Sequence, residues 1–579
     1  MISLSQTRTA TTQAILVFVL LLFSLATNGE LLRGGDFEST TFGQSGPWGC
    51  HGSCHLTASS DAHSGSHSVQ VLNRHHNWEG IEQTVTLTDG GRYSLRAYVK
   101  VLNLSPGLMY TTVEPMVMCK DSTGKSIATK FDREPYARQD QWILVGGIHK
   151  LPSGVHSCSV TIRVSDIHST YLVDDASLTS VDDIPLWRTE ANDRIESLRK
   201  SNFTIRLSGG DPNADYDIEL VQQKHKFGFG SAVGARQIVD PALARYQQVF
   251  YQNFEWAVLE NALKWTQMER TQGQLRIDDA LAALKALNAS NIKIRAHNIF
   301  WAVKDHVPHW LPALNQAQQM AAMDKRIHDV VPLTKGYAAH WDVNNENIHG
   351  DYFEQMTGDP NITMTMFRDT HALDPDVKLF LNDFNVMQSF SAMPLRNQAK
   401  LFKDAGVPIY GVGIQSHLKH MNLDIPTLKS NLDLIAETGL PIWITELSFL
   451  SKDNVAKAQA LQDVLTLYFS HPAVEGVLLW GFWDGKVFDP DIALFEGPNV
   501  TPNAAGLAYQ QLFHTTWRTN VTDRIHGNGS SNVRGFQGVY KLTVKHGSKE
   551  LAHQYFFIGK HSKTIDVNLD SVGGNVIIG

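Results

Sequence analysis

The pattern of apolar and polar positions changes along the chain, and its first long section predicts strands. Between residues 30 and 180, short runs in which apolar and polar residues alternate, such as 68–72 and 93–98, are separated by turns rich in Gly, Asp and Ser. Many short strands without a helical period are typical of a β-sandwich. We therefore predict an all-β sandwich over 30–180, followed by a connecting segment over 181–200.

A second section alternates strand-like runs with helical segments and predicts an α/β fold. Residues 277–287 carry apolar side chains at helical spacing and are followed by the apolar run that begins at Ile292. Repetition of this kind is typical of a parallel sheet covered by helices. The candidate strands are 227–233, 254–260, 292–301, 338–346, 378–384, 409–417, 441–447 and 476–484. Eight such strands predict a closed (β/α)8 barrel, here assigned to 201–517.

The pattern changes again near residue 518, where the helical period stops. Tyr540, Leu542 and Val544 alternate with polar residues, which describes a strand with one face in contact with solvent. We predict a small C-terminal β module over 518–579.

The N-terminus carries one apolar run of 12 residues, 14–25, with Arg8 before it and small residues after it. The run is shorter than the roughly 20 apolar residues that span a bilayer, and no second such run follows. We predict a signal peptide over 1–29, and therefore a secreted protein that is not anchored in a membrane. A buried core helix is the alternative interpretation.

Composition excludes two classes of protein. The 579 residues include 50 Lys and Arg against 58 Asp and Glu, a net charge of -8, with 42% hydrophobic residues. This is the composition of a folded protein rather than a disordered one. A mildly acidic balance argues against nucleic acid as a partner, because nucleic-acid binding normally requires a basic surface.

The cysteines and the glycosylation sequons fit an extracellular compartment. Four cysteines, Cys50, Cys54, Cys119 and Cys158, lie in the first third of the chain, and four cysteines can pair in three ways. The spacing of Cys50 and Cys54 beside two histidines also allows a zinc site, although a secreted chain favours disulfides. Asn-x-Ser/Thr sequons occur at Asn103, Asn202, Asn288, Asn361, Asn499, Asn520 and Asn528.

Polar residues close the predicted barrel strands, where such barrels carry their active sites. Glu346 and Glu446 end the fourth and seventh strands, which we expect to face each other. A facing pair of carboxyl groups is what hydrolysis of an acetal requires: one protonates the leaving oxygen, and the other stabilises or attacks the sugar carbon. Trp, His, Asn, Gln and Lys at neighbouring strand ends are residues that bind sugars.

The strand ends resemble the hallmark segments of glycoside hydrolase family 10, the endo-β-1,4-xylanases, over about residues 190–517. The matching segments are 260–265, 295–301, 341–346, 382–385, 413–417, 444–446 and 480–481. The resemblance implies a retaining mechanism with Glu346 as acid/base and Glu446 as nucleophile, supported by Asn345 and His417. It also implies that the substrate is bound by Glu260, Asn261, Lys264, His297, Trp301, Phe384, Gln415, Trp480 and Phe488.

Three positions depart from the family pattern. Ser448 replaces the Asp that would complete a chain of carboxylate, His417 and nucleophile, so we expect His417 to be neutral more readily. Phe488 stands where a Trp is usual, which keeps a stacking face without the indole N–H. Asn344 replaces an apolar residue beside the acid/base.

The N-terminal region resembles carbohydrate-binding module family 22, through residues 34–38, 62–65, 73–74, 78–80 and 172–178. The resemblance implies a sugar-binding surface on the sandwich that includes Arg74, Trp78 and Tyr136. His51 stands where an arginine would be expected. Trp78 has a second interpretation as a core residue.

These observations predict a secreted, monomeric endo-β-1,4-xylanase that needs no metal or other cofactor and whose partner is xylan or a related plant polysaccharide. A β-1,4-glucanase or cellulase with the same machinery is one alternative. A cell-wall protein that binds or transglycosylates polysaccharide with little hydrolysis is another, although it would be expected to lack one of the two glutamates.

Overall fold

The computed structural model describes residues 29–39, 41–388, 390–570 and 577–578, and residues 1–28 of the predicted signal peptide lie outside this range. The chain divides into two compact units between Asp182 and Asp183. None of the helices within these ranges has both the length and the apolar composition needed to cross a bilayer.

The first unit is the predicted β-sandwich. Its strands are β1 (Gly49–His51), β2 (His55–Ser59), β3 (Ser68–Leu72), β4 (Gly80–Val85), β5 (Arg92–Val101), β6 (Thr111–Asp121), β7 (Ser126–Lys130), β8 (Glu134–Ala137), β9 (Trp142–Lys150), β10 (Val155–Val164) and β11 (Tyr171–Ser180). One antiparallel sheet has the order β1-β4-β10-β6-β7 with β8 on β6, and the other has the order β2-β3-β11-β5-β9. Alternate residues such as Leu95, Ala97 and Val99 are fully buried between them.

Two disulfides lie in this unit. Cys119 and Cys158 are directly opposed on β6 and β10, with their Cα atoms 4.0 Å apart, and a disulfide joins them. Cys50 and Cys54 close the short connection between β1 and β2. The alternative of a zinc site at Cys50 and Cys54 is therefore wrong, because both sulfur atoms are used in the disulfide.

The second unit begins with helix α1 (Trp187–Arg199) and strands β12 (Lys200–Ser208) and β13 (Asp215–His225). A parallel sheet then follows with strands β14 (Gly228–Val233), β15 (Trp256–Leu259), β16 (Lys293–Trp301), β17 (Ala338–Asn345), β18 (Lys378–Asp383), β19 (Gly411–Ile414), β20 (His417–Leu418), β21 (Ile442–Phe449) and β22 (Val474–Leu479). The order runs from β19 through β14 to β22 and β21, and β19 also pairs with β21. This pairing closes a barrel of eight strands, with β20 beside β21, and confirms the predicted (β/α)8 fold.

Helices alternate with the barrel strands as expected. They are α2 (Ala244–Asn253), α3 (Trp265–Met268), α4 (Asp278–Ala289), α5 (Gln316–Thr334), α6 (Tyr352–Thr357), α7 (Ile362–Leu373), α8 (Ala392–Asp404), α9 (Ile425–Ala436), α10 (Asn454–Ser470) and α11 (Ala504–Gln511). A capping box formed by Asn315 and Gln318 starts α5, since each side chain accepts a hydrogen bond from the other residue's backbone N–H.

The C-terminal β module is larger than predicted, because β12 and β13 belong to it. The remaining strands of the second unit are β23 (Phe495–Glu496), β24 (Thr501–Pro502), β25 (Asn520–His526), β26 (Ser530–Phe536), β27 (Gly538–His546), β28 (Lys549–Ile558), β29 (Lys563–Asn568) and β30 (Ile577–Ile578). β12 pairs with β26 and β29, and β13 pairs with β25 and β27.

Strands β12 and β13 fall inside the range 201–517 assigned to the barrel from the sequence, or just before it, but they pair with module strands rather than with barrel strands. Phe203, Ile205 and Leu207 of β12 are buried, while the residues between them are exposed or half-buried. Barrel strand β14 is buried at all of its positions. This difference between burial on one face and burial on both faces separates the module strands from the barrel strands.

Candidate active site

The two predicted catalytic carboxyl groups lie at the carboxyl ends of barrel strands. Glu346 directly follows β17, and Glu446 lies within β21. Both are nearly buried, with 8% and 4% of their surface exposed. Two residues connect them: Gln415 donates a side-chain hydrogen bond to Glu346 and accepts one from the Glu446 backbone N–H through its carbonyl oxygen, and Asn382 also contacts both.

The surroundings of Glu346 favour its protonated form. Trp301 Nε1 donates to Oε2 at 2.7 Å, and Gln415 Nε2 donates to Oε1 at 2.9 Å. Burial raises the pKa of Glu346 despite these two hydrogen bonds, and the negative charges of Asp383 and Glu446 raise it further. A carboxyl group in this state is suited to donate a proton.

The surroundings of Glu446 favour the opposite state. Burial alone would raise the pKa of Glu446, but the hydrogen bond from His417 and the positive charges of His297, His417 and Lys264 lower it to about 2. His417 Nε2 lies 3.2 Å from Glu446 Oε2, and His297 Nε2 lies 4.0 Å from Oε1. Glu446 is therefore a carboxylate from about pH 2 upward, which includes a range in which Glu346 keeps its proton.

Asn382 organises both carboxyl groups, a role that the sequence analysis did not assign. Its Nδ2 donates to Asn345 Oδ1 at 2.9 Å and to Glu446 Oε1 at 3.1 Å. Its Oδ1 accepts from Thr445 Oγ1 at 2.6 Å, and its carbonyl oxygen accepts from the Glu346 N–H at 2.9 Å. The Nδ2 atom of Asn345 is buried without a hydrogen-bond partner, so it is a donor available to a ligand hydroxyl.

His297 is fixed by a buried charged pair that the sequence analysis also missed. Its Nδ1 lies 2.9 Å from Asp342 Oδ2, and Arg295 donates two hydrogen bonds to the same carboxylate. All three side chains are buried. With Nδ1–H donating to Asp342, the Nε2 atom faces Glu446. The motif 295–301 was recognised in the sequence, but Asp342 lies on the next strand.

Lys264 lies beside two tryptophans in the candidate site. Lys264 Nζ lies 4.9 Å from the ring centre of Trp301 and 5.7 Å from that of Trp480, and it donates to Asn261 Oδ1 at 2.9 Å. Burial lowers the pKa of Lys264, and the negative charges of Glu446, Glu260 and Glu346 oppose that shift. The aromatic faces and the ammonium group can contact sugar rings and hydroxyls together.

The outer predicted substrate residues have different surroundings. Glu260 Oε2 lies 3.4 Å from Lys486 Nζ. The Phe384 ring stacks on His349, with ring centres 3.8 Å apart, and His349 Nδ1 lies 2.6 Å from Asp383 Oδ1. Phe488 is 62% exposed. The Phe384 ring is thus held in position by a neighbour, whereas Phe488 presents most of its surface to solvent.

Ser448 contacts His417, as the family resemblance implied. Ser448 Oγ lies 2.8 Å from His417 Nδ1, and the two residues are paired in register between β20 and β21. A hydroxyl can donate or accept a hydrogen bond but brings no negative charge. His417 therefore lies between a neutral hydroxyl and the carboxylate of Glu446.

The predicted sugar-binding residues of the sandwich fall into two groups. Trp78 is 42% exposed and stacks on His76, with ring centres 5.2 Å apart. Tyr136 is half-buried and meets Tyr110 edge to face at 4.7 Å. Both aromatic residues are accessible to a ligand.

Arg74, the third residue predicted to bind sugar, is buried instead. Its guanidinium group is buried and donates to the carbonyl oxygens of Val164, Asp166 and Ser169. It also lies over the ring of Tyr171. Arg74 therefore stabilises the loop that follows β10.

Comparison with known proteins identifies matches to both units. Residues 218–506 match the family model described as glycosyl hydrolase family 10, and residues 29–166 match the model described as a carbohydrate binding domain. The chain is 34% identical over 387 residues to anti-sigma-I factor RsgI6 of Acetivibrio thermocellus, covering 66% of this chain and 49% of that protein. It is 28% identical over 440 residues to endo-1,4-beta-xylanase 1 of Arabidopsis thaliana, covering 75% and 46%.

The chain thus spans about half the length of these two curated relatives. Among solved structures, xylanase 10B from Thermotoga petrophila in complex with xylobiose matches with a TM-score of 0.46 and 23% identity, covering 50% of this chain and 95% of that one.

Proposed function

Because the chain carries a glycosyl hydrolase family 10 domain, preceded by a carbohydrate-binding domain, we propose that it is an endo-β-1,4-xylanase that hydrolyses internal bonds of xylan. The observation that carries this proposal is the pair of glutamates with opposite pKa shifts, Glu346 raised and Glu446 lowered. Glycosidases that use two carboxyl groups need one in each state, and the retaining course is proposed from the family 10 match.

The proposed reaction is a double displacement. Glu446 attacks the anomeric carbon while Glu346 gives its proton to the departing glycosidic oxygen, so that an ester between Glu446 and the sugar forms as the glycosidic bond breaks. Glu346, now a carboxylate, removes a proton from water, and the hydroxide oxygen displaces Glu446 from the same carbon. Each carboxyl group returns to its starting state, and no cofactor enters the balance.

The neighbouring residues have positioning and binding roles in this proposal. Asn345 donates from its unpartnered Nδ2 to a hydroxyl of the sugar being cleaved. Gln415 holds Glu346, and His417 holds Glu446. The remaining contacts to the sugar chain are assigned to Glu260, Asn261, Lys264, His297, Trp301, Phe384, Trp480 and Phe488.

The first unit is proposed to hold the enzyme on xylan through Trp78 and Tyr136. Attachment of this kind raises the local concentration of substrate around a catalytic domain. We further propose that the protein is secreted and monomeric; the apolar run 14–25 and the seven sequons support secretion. The sequon asparagines are all exposed in the structure.

Release of reducing ends from purified xylan tests the proposal. Wild-type protein should release them, and Glu446→Ala should not. Carboxymethylcellulose is the comparison substrate, because glucose carries a hydroxymethyl group at C5 that xylose lacks. Faster cleavage of the cellulose derivative would identify a glucanase instead, and binding of xylan without any cleavage would identify a polysaccharide-binding protein.

A further inference from the structure

A buried polar network lies against the segment that carries Asn345 and Glu346. Asn344 Nδ2 donates to Thr363 Oγ1 at 2.8 Å, and Thr363 Oγ1 donates to Glu354 Oε1 at 2.6 Å. Asn347 Nδ2 donates to the same Glu354 oxygen at 3.2 Å. Each of these four side chains is at least nine-tenths buried. The network thus joins strand β17 to helices α6 and α7 at the two residues that flank Asn345 and Glu346.

The network contains more acceptors than donors. Asn344 Oδ1, Glu354 Oε2 and Gln398 Oε1 are all buried without a hydrogen-bond partner, and Gln398 reaches the network by donating from Nε2 to Asn347 Oδ1 at 2.6 Å. Buried polar atoms are rarely left in this state, because each costs the free energy of its lost hydration. A single proton on Glu354 would turn one of the three acceptors into a donor.

The charges around Glu354 also favour its neutral form. Within the described part of the chain, no Lys, Arg or His side chain pairs with it, and the charged neighbour is Asp351, which is also acidic. Burial raises the pKa of Glu354, and the hydrogen bonds from Thr363 and Asn347 offset only part of that shift. Burying an isolated carboxylate costs more free energy than burying the protonated acid.

The segment held by the network has an unusual backbone. Glu346 has a φ of 59°, in the left-handed region that a side chain such as Glu rarely adopts. Such a conformation persists only where the surrounding structure holds it. Asn344 and Asn347 anchor the chain on either side of this residue, while the N–H groups of His349 and Gly350 both donate to the Glu346 carbonyl oxygen.

We propose that Asn344 and a protonated Glu354 form a positioning site that fixes the backbone and carboxyl group of Glu346 for proton transfer. The catalytic part of this inference rests on the proposed glycosidase function. The neutral state of Glu354 does not depend on that function. This assignment gives a role to Asn344, the departure from the family pattern next to the acid/base.

Infrared difference spectroscopy tests the protonation state without an activity assay. Wild-type protein minus Glu354→Gln at neutral pH should give the C=O band of one protonated carboxyl group. Glu550→Gln, at an exposed residue of β28, is the matched control and should give only carboxylate bands. Carboxylate bands alone in the Glu354→Gln difference would overturn the proposal, whether or not the protein cleaves xylan.

Kinetics test the positioning role. Glu354→Ala should lower kcat on xylohexaose by about tenfold to a hundredfold with little change in KM, because a small misplacement of a catalytic group has effects of that size. Glu354→Gln should restore most of the loss, since an amide has the shape of the neutral acid. The pH profile of kcat/KM of Glu354→Gln should have the same alkaline limb as that of the wild type, because this substitution removes no charge.

Three results would overturn this role: Glu354→Gln as impaired as Glu354→Ala, an alkaline limb displaced to lower pH in Glu354→Gln, or full activity in Glu354→Ala. If circular dichroism shows that Glu354→Ala does not fold, Asn344→Leu replaces it, and unchanged kcat in that variant counts against the proposal. A wild-type protein inactive on xylan would refute the proposed function, and the infrared result would still stand.

Discussion

Ser448 Oγ lies 2.8 Å from Nδ1 of His417, so a neutral hydroxyl occupies the side of the imidazole that faces away from Glu446. The other ring nitrogen, Nε2, is 3.2 Å from Glu446 Oε2. His417 thus contacts the carboxylate of Glu446 on one side and a hydroxyl on the other, and we predict that substitution at position 448 changes the pH range of the enzyme.

Ser448→Asp should move the alkaline limb of kcat/KM to higher pH by about one unit, because a carboxylate at that distance favours a protonated imidazole. Ser448→Ala, the matched control, should leave the limb nearly in place, since it removes a hydrogen bond but no charge. The measurement is the pH profile of kcat/KM on xylohexaose for both variants. If their alkaline limbs superimpose, the side chain at position 448 does not affect the protonation of His417.

Glu346→Gln should reduce kcat on xylan by about 10²–10⁴-fold, because the glycosidic oxygen is a poor leaving group without a proton. Aryl xylosides whose phenols leave easily should still form the glycosyl-enzyme, seen as a burst of released phenol. Added azide, which needs no general base, should then restore turnover. Equal losses on both substrates, with neither burst nor rescue, would count against Glu346 as the acid/base.

The two glutamates should also affect each other's titration. The pKa of Glu446 is about 2, so activity should persist to low pH before the nucleophile is protonated. The pKa of Glu346 is raised, so Glu346 should keep its proton to a pH above the ordinary glutamate value of 4.5. Glu446→Gln removes a negative charge near Glu346 and should lower its pKa. Carbon NMR titration of both proteins checks this, and an unchanged Glu346 titration would mean that the two are not coupled.

Asp342→Asn should destabilise the protein by about 3–5 kcal/mol, because it leaves the buried guanidinium of Arg295 without its carboxylate. Asp217→Asn, which breaks the exposed pair with Arg524, is the matched control and should cost at most about 1 kcal/mol. Urea unfolding compares the two free energies of unfolding. Similar losses in the free energy of unfolding for the two variants would show that burial does not increase the contribution of the pair between Asp342 and Arg295.

Trp78→Ala should weaken binding to insoluble xylan by about fivefold, the effect of losing roughly 1 kcal/mol from one stacking contact. Turnover of soluble xylo-oligosaccharides should be unchanged. Leu108→Ala removes a side chain of similar exposure without an aromatic face and serves as the control. If Trp78→Ala and Leu108→Ala bind xylan equally well, the sandwich does not use Trp78 to hold the polysaccharide.

The barrel was predictable because its strands are buried on both faces and end in polar residues. The strand β21, which contains Glu446, is buried at each of its positions, and runs of this kind could be counted in order along the sequence. β12 has the alternation of a strand buried on one face, but nothing local indicates that its partners lie more than 300 residues later. Pairing between strands so far apart in the sequence depends on the whole fold.

The candidate site was predictable where one segment carries the signal, and not where two segments meet. Glu346 directly follows β17 and Glu446 lies in β21, and each was recognised from its own segment. The bond from Asn382 to Glu446 and the pair of Asp342 with His297 depend instead on neighbouring strands being in register. The surroundings of Arg74 and the pairing of the cysteines likewise depend on contacts between segments that are separate in the sequence. Whether an arginine faces solvent or the carbonyl oxygens of a distant loop depends on that loop's position.

The division of the β module between the two ends of the barrel has a consequence during synthesis. β12 and β13 leave the ribosome about 300 residues before β25, a delay of roughly 15–60 s at about 5–20 residues per second. During that interval the edges of both strands have unpaired backbone N–H and C=O groups, which can pair with other nascent chains. A chaperone that holds residues 200–225 until the last strands emerge would therefore be expected to raise the yield of soluble protein, and a premature stop after the barrel to reduce it.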